Sequence, residues 1–159
     1  MHVSIAPEPP DSPEAIGLID ELQRYIAPMY PHDREHGLSP AEMAREGVAF
    51  FVLRTDGQPA GCGALKPMGP GSAEIMRMYV RPPFRGKGLG RQMLQHLEGY
   101  AMEHGITVLR LKTGIYQPEA LCLYERSGYR QVPAFKPYRE HPLNLYYEKT
   151  LVTGMGRSR

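Results

Sequence analysis

The sequence predicts a mixed α/β (α+β) domain, a central sheet flanked by helices. Three observations carry this. Short β-rich runs alternate with segments of helical apolar spacing over the whole chain. The chain has 159 residues, 42% hydrophobic and 23% charged, enough to bury one sizeable core. A strand candidate also runs through alternating glycines into a helix at "VRPPFRGKGLGRQMLQHLEGYA".

The elements follow in order. His2 to Ile5 is a short strand, followed by a Pro-rich turn. Ser12-Pro13-Glu14 opens a helix with a capping hydroxyl, a first-turn proline and an acid. Ile16, Ile19, Leu22 and Ile26 give it an apolar stripe. "YPHDREHGL" reads as a loop, and Ser39-Pro40-Ala41-Glu42 starts a shorter helix. "VAFFVLRTDGQPAGCGALKP" is a hairpin turning at Asp56-Gly57. "AEIMRMYV" is a strand stopped by Pro82-Pro83. A helix runs from about Gly88 to Glu103 and closes at Gly105. "ITVLRL" is a central strand, and Pro118 to Ser127 is a helix stopped at Gly128. "YRQVP" and "NLYYEKTL" are the last strands, around the loop "AFKPYREHP". One domain over 1–152 is expected, with a flexible tail over 153–159.

Bulk properties narrow the function. No apolar run approaches the roughly 20 residues of a membrane span, so no membrane partner is expected. "MHVSIAPEPPDSPEA" lacks a positive n-region and an apolar h-region, so no signal peptide is expected. Cys62 and Cys122 lie far apart without CxxC spacing, which argues against disulfides and fits the cytoplasm. A net charge of +2 does not point to nucleic acid. The six histidines form no metal site by spacing, and no metal is expected. His96 and His104 read as surface positions, and His32, His36 and His141 as loop positions. Charge is nevertheless uneven. From Ile75 to Leu97 there is no acid, but there are Arg77, Arg81, Arg85, Lys87 and Arg91.

Gly86, Gly88 and Gly90 sit at the mouth of a helix, where each costs about 1 kcal/mol relative to alanine. The first N–H groups of a helix lack internal partners and lie at the positive end of its dipole. A phosphate can accept several of them where no Cβ blocks its approach. The pattern is neither a GxxxxGK[ST] loop nor the GxGxxG of dinucleotide folds. A tight strand-to-helix turn with solvated basic residues is the alternative.

Arg85-Gly86-Lys87-Gly88-Leu89-Gly90 resembles the [QR]xxGx[GA] signature of the GNAT acetyltransferase superfamily. "QPEALCLYERSGYRQV" is similar to that family's NxxAxxxYxxxGF segment. The element order matches from about Val3 to Leu151. The resemblance implies a mostly antiparallel sheet of about seven strands with about four helices, and acetyl-CoA as co-substrate. CoA pyrophosphate would lie on the amides from Gly86 to Arg91, with Arg85, Lys87, Gly88, Leu89 and Gly90 around it. The pantetheine arm would pair with β-strand backbone at Met78 and Val80. Gln117 stands where the family often has Asn, and Ala120 and Tyr124 complete that side.

The resemblance also implies roles. Tyr124 would donate to the departing thiolate; its other reading is a core aromatic one turn from Ala120. Glu74 is the candidate base; its other readings are an exposed strand-start acid or an ion pair with Arg77. Strict alternation would put Glu74, Met76, Met78 and Val80 on one face, and a β-bulge would change that. The acceptor side would come from the first two helices and the last hairpin loop, nominating Tyr25, Tyr30, His32, Phe135 and Tyr138. Lys136 and Arg139 could pair with an acceptor carboxylate, with Asp33, Glu35 and Glu140 close by. The expected activity is acetyl transfer to a small-molecule primary amine. A protein lysine or N-terminal acetyltransferase and a noncatalytic acyl-CoA sensor are the alternatives, and a homodimer is an open option.

Overall fold

In the computed structural model residues 1–33 and 37–152 are described. Glu35 and His36, and the expected tail over 153–159, lie outside the described residues. The elements run β1 (Val3–Pro7), α1 (Pro13–Ile26), α2 (Pro40–Arg45), β2 (Ala49–Thr55), β3 (Gln58–Gly69) and β4 (Ser72–Val80). They continue with α3 (Leu89–Glu103), β5 (Val108–Gly114), α4 (Pro118–Arg126), β6 (Arg130–Val132) and β7 (Asn144–Thr150). Among the described residues, this is the order read from the sequence. Two short 3₁₀ turns, Ala27–Met29 and Pro82–Phe84, were not anticipated.

The local reasons are visible. Ser12 Oγ accepts from the Ala15 amide at 3.1 Å and caps α1. Ser39 and Glu42 form a reciprocal capping box on α2. Asp56 and Gly57 both take positive φ, +49° and +85°, which a two-residue hairpin turn requires. The apolar stripe of α1 differs from the expectation. Ala15, Leu18, Ile19 and Leu22 are buried, while Ile16 is 44% exposed. The stripe centres on the i, i+3, i+4, i+7 positions from Ala15, and Ile16 lies off that line.

One seven-stranded sheet has the order β1-β2-β3-β4-β5-β7-β6. Every neighbouring pair is antiparallel except β4–β5, which α3 connects as a parallel crossover. One face packs Leu89, Met93, Leu94 and Leu97 of α3 against Phe51, Leu65, Ile75 and Leu111. The other packs Leu18, Ile19 and Leu22 of α1 and Met43 of α2 against Phe50, Val52, Ala64 and Tyr79.

Two irregularities of β4 create the site. Its pairing with β3 jumps from Cys62↔Tyr79 to Ala64↔Met76, so one residue of β3 faces two of β4. Arg77 sits in this bulge at φ +57°. Its carbonyl accepts from the Cys62 thiol at 3.2 Å. The bulge reverses parity. Ala73, Ile75, Met78 and Val80 belong to the α3 face, whereas Met76 and Tyr79 pack on the α1 face. Glu74 and Met76 are therefore separated from Met78 and Val80, which strict alternation had joined. The second irregularity is that β4 pairs with β5 only from Ser72 to Ile75. Beyond Ile75 the two strands part, and a cleft opens between them.

Candidate active site

The cleft has a volume of about 1010 Å³. Glu74, Met78, Gln117, Ala120 and Tyr124 line it, together with His32 and Tyr138. β4 supplies Glu74 and Met78, α4 supplies Ala120 and Tyr124, and Gln117 stands at the N-cap of α4. Tyr124 is 6% exposed. Its ring meets Tyr129 edge-on at 5.9 Å. Its hydroxyl has no hydrogen-bond partner among the described residues. Burial pushes its pKa up, so it stays a neutral donor.

Glu74 is 4% exposed. Its Oε2 accepts a 2.6 Å hydrogen bond from the Tyr138 hydroxyl. Burial raises its pKa, while the Tyr138 bond and the charges of Lys66 and Lys112 pull the other way. Neither alternative reading of Glu74 describes it: the side chain is buried, and Arg77 Nη2 donates instead to Leu38 O at 2.7 Å.

At the glycine turn, Gly86 and Gly88 take φ +79° and +75°. A Cβ on either would meet no atom of the described residues within 4 Å, so the space beside them is open. Gly88 is the N-cap of α3 and offers no side-chain cap. The first helical bond is donated by Gln92 to Gly88 O at 3.1 Å. The amides of Leu89, Gly90 and Arg91 thus have no acceptor among the described residues. Helices α1 and α2 spend serine hydroxyls on the same positions; α3 does not. Bare amides, open space and a dipole's positive end fit a phosphate.

Gly90 serves a different purpose. A Cβ there would stand 3.3 Å from Leu123 Cδ2 and 3.8 Å from Val80 Cγ2, inside the protein. Its absence lets α3 seat against α4 and β4. Arg85 also departs from expectation. Its Nε donates to Val80 O at 2.8 Å, and its guanidinium lies 5.0 Å from the Tyr25 ring and 5.7 Å from the Tyr79 ring. Lys87 and Arg91 are exposed beside the turn. On β4, the Arg81 amide donates to Ala60 O on the β3 side at 2.8 Å. Alternation then turns the Val80 amide toward the open side, where its carbonyl already accepts from Arg85.

The sequence profile described as the Acetyltransferase (GNAT) family matches residues 19–129. The chain belongs to the GNAT acetyltransferase family. It is 37% identical over 151 residues to the IAA acetyltransferase of Azospirillum brasilense, covering 94% of this chain and 99% of that protein. It is 29% identical to the uncharacterized N-acetyltransferase YsnE of Bacillus subtilis (strain 168), covering 95% and 100%. A Klebsiella pneumoniae structure described as an acyl-CoA N-acyltransferase superposes with TM-score 0.79 at 35% identity, covering 94% and 97%. The PaiA N-acetyltransferase of Thermoplasma acidophilum, solved with coenzyme A, shares the fold at TM-score 0.73 and 19% identity, covering 94% and 99%. This GNAT protein is thus an acetyl-CoA-dependent acyltransferase.

The acceptor candidates of this GNAT enzyme divide. His32 and Tyr138 line the cleft. His32 stacks on His141 at 3.6 Å, and its Nε2 lies 3.2 Å from Asn144 Oδ1. Tyr30 lies away from the cleft lining. It is 6% exposed, packs so closely on Gly114 that a Cβ there would overlap its ring, and accepts from the Tyr116 amide at 3.0 Å. Tyr25 is exposed beside Arg85. Phe135 stands behind Tyr138, its ring 5.4 Å away. Lys136 and Arg139 are exposed and outside the lining. Among the described residues the cleft's cations are Lys66, Arg77 and Lys112, which the acceptor reading missed. His96, read as a surface residue, is half-buried with its ring 4.7 Å from Phe51. Among the described residues no cluster of three or more His, Cys, Asp or Glu could hold a metal. No helix there is long and apolar enough to cross a membrane.

Gly88 and Gly90 should respond differently to the same change. Gly88→Val is expected to abolish CoA binding by calorimetry, since its branched side chain would enter the open space beside the bare amides. Gly90→Val is expected to cost about 1–3 kcal/mol through overpacking against Leu123 and Val80, lowering Tm by roughly 2–12 °C. Undiminished CoA affinity in a folded Gly88→Val protein would remove the phosphate reading.

Proposed function

We propose that this acetyltransferase moves the acetyl group of acetyl-CoA onto the primary amine of a small, amino-acid-like molecule, by direct attack in a ternary complex. The observation that carries this is one cleft lined by both a buried carboxylate, Glu74, and a phenol with no hydrogen-bond partner among the described residues, Tyr124. Acetyl-CoA supplies the activated thioester. The amides of Leu89, Gly90 and Arg91 hold its pyrophosphate, with Gly86, Lys87 and Gly88 shaping the turn. The open edge of β4 at Met78 and Val80 pairs with its pantetheine arm, and Gln117 and Ala120 line the opposite side.

Glu74 works on the amine. An alkyl ammonium with a pKa near 10.4 is neutral in only about one part in a thousand at pH 7. Glu74 accepts that proton, and the freed nitrogen forms its bond to the acyl carbon as the C–S bond breaks. The second amine proton leaves nitrogen as the amide forms, and the thiolate is protonated to the thiol. Tyr124 steadies the departing sulfur by donating a hydrogen bond. Full transfer from a phenol raised above 10 to a thiolate of pKa near 8.5 runs uphill, so donation is its main service.

The acceptor class rests on charge. Lys66, Arg77 and Lys112 share the cleft with Asp33, Glu42 and Glu74. Interspersed charges suit a zwitterion better than a polyamine or an apolar amine. Thiol release should be measured across amino acids, their decarboxylated analogues, simple amines, lysine peptides and IAA. An amine bearing a carboxylate is expected to exceed its decarboxylated analogue by about tenfold or more in kcat/KM, a factor worth 1.4 kcal/mol. A preference for peptides would favour the protein acetyltransferase. Tight acetyl-CoA binding without turnover on any amine would favour the sensor.

A further inference from the structure

Tyr138 belongs to the loop between β6 and β7, yet its hydroxyl reaches 64 residues back to β4 and donates to Glu74 Oε2 at 2.6 Å. Its ring is held on three sides. Phe135 packs edge-on at 5.4 Å, Tyr146 lies tilted at 6.1 Å, and Lys112 Nζ lies 4.6 Å from its centroid. Tyr146 is 1% exposed, and its own hydroxyl donates to Arg139 O at 2.6 Å, anchoring the loop from below. The donor is therefore aimed by packing. Glu74 Oε1 accepts no hydrogen bond from the described residues, which leaves it for an incoming amine.

We propose that Tyr138 is a positioning residue for the base: its hydroxyl holds one oxygen of Glu74 and favours the carboxylate, leaving the other oxygen turned to the acceptor amine. This rests on the reading of Glu74 as the base. The loop thus sets the pH range of turnover and the direction in which the base points.

Among the described residues, the other charged and titratable groups of the cleft each face a further partner, and none donates to the Glu74 carboxylate; His32 stacks on His141. Lys66 is its cross-strand partner on β3 and stands 3.8 Å from Glu46. Arg110, its register partner on β5, donates to Glu148 at 2.8 Å. Lys112 donates to Asp33 at 2.8 Å. Arg77, in the bulge, donates to Leu38 O. Glu42 caps α2 through Ser39. Tyr138 is the one group among the described residues that gives Glu74 a direct hydrogen bond. Burial also raises the pKa of the Tyr138 phenol, so it remains the donor at any working pH.

Tyr138→Phe keeps the ring and its packing and removes only the donor. The carboxylate loses support that the neutral acid does not need, so its pKa rises and the acid limb of kcat/KM moves to higher pH. A hydrogen bond to a charged group corresponds to a shift of about one to two pH units. The titration of Glu74 should be followed by ¹³C NMR of glutamate-labelled protein, its signal assigned as the one missing in Glu74→Gln. The pH dependence of kcat/KM should be followed in parallel, with the best amine of the panel. The expected result is the same upward shift in both, with the gap to wild type closing as pH rises. An NMR titration within about 0.3 unit of wild type overturns the role of Tyr138. A titration that moves while the rate profile stays overturns Glu74 as the base, and the proposal with it.

Discussion

Tyr124→Phe is expected to lower kcat, and kcat/KM with it, by about 10²- to 10³-fold, the loss typical of one preorganised donor to a developing charge. The argument joins two observations. The hydroxyl has no hydrogen-bond partner among the described residues, and the ring is nine-tenths buried between α4 and the sheet. Removing the oxygen therefore breaks no internal bond and leaves the ring's contacts with Tyr129 and Tyr147 in place. Stability should change by no more than about 0.5 kcal/mol, and acetyl-CoA affinity should hardly move. An interaction made only in the transition state gives this kinetic pattern. Steady-state kinetics beside a thermal melt decides it. A loss below about fivefold would mean that the thiolate leaves unaided, as its pKa near 8.5 permits, and Tyr124 would then be a packing residue.

Glu74→Gln is expected to lower kcat/KM by about 10²- to 10⁴-fold near neutral pH, the range of general base catalysis. Its signature is in the pH profile. In the wild type the acid limb bends where Glu74 ionises, and burial places that bend above the ordinary carboxylate value near 4.3. The sign is fixed: a base works above its pKa, so activity is lost as pH falls through the bend. Gln keeps the shape and can still accept from Tyr138, but it cannot take a proton. Its profile should lack the bend and should climb toward the wild type as pH approaches the pKa of the amine. A profile parallel to the wild type at every pH would assign deprotonation to water or to another residue.

The order of strands and helices was legible because its signals are local. Ser12 and Ser39 cap their helices, Asp56-Gly57 makes the hairpin turn, and Gly105 and Gly128 follow helix ends at positive φ. The two family motifs were equally legible, since [QR]xxGx[GA] and the Tyr124 segment are short and contiguous. Gly86, Gly88 and Gly90 looked alike in the sequence but are not alike in space. Two are turn residues over open space, and the third is a packing contact with Leu123. Backbone dihedrals and neighbours across the fold decide such roles, and spacing does not record them.

The acceptor side was the least legible. Tyr25 and Tyr30 lie in the right helical region but spend their rings on Arg85 and Gly114. Lys66 on β3 and Lys112 on β5 come to either side of Glu74 on β4 only because the sheet brings them there. The parity of β4 turned on a one-residue bulge at Arg77, which moves every later side chain to the opposite face. By itself, then, the sequence determined the family and the element order, both read from neighbours along the chain. Only the tertiary structure decided that Tyr138 bonds Glu74 across 64 residues and that β4 and β5 part after Ile75. Those contacts depend on sheet order, register and a bulge, and each of these arises from packing between segments far apart in the sequence.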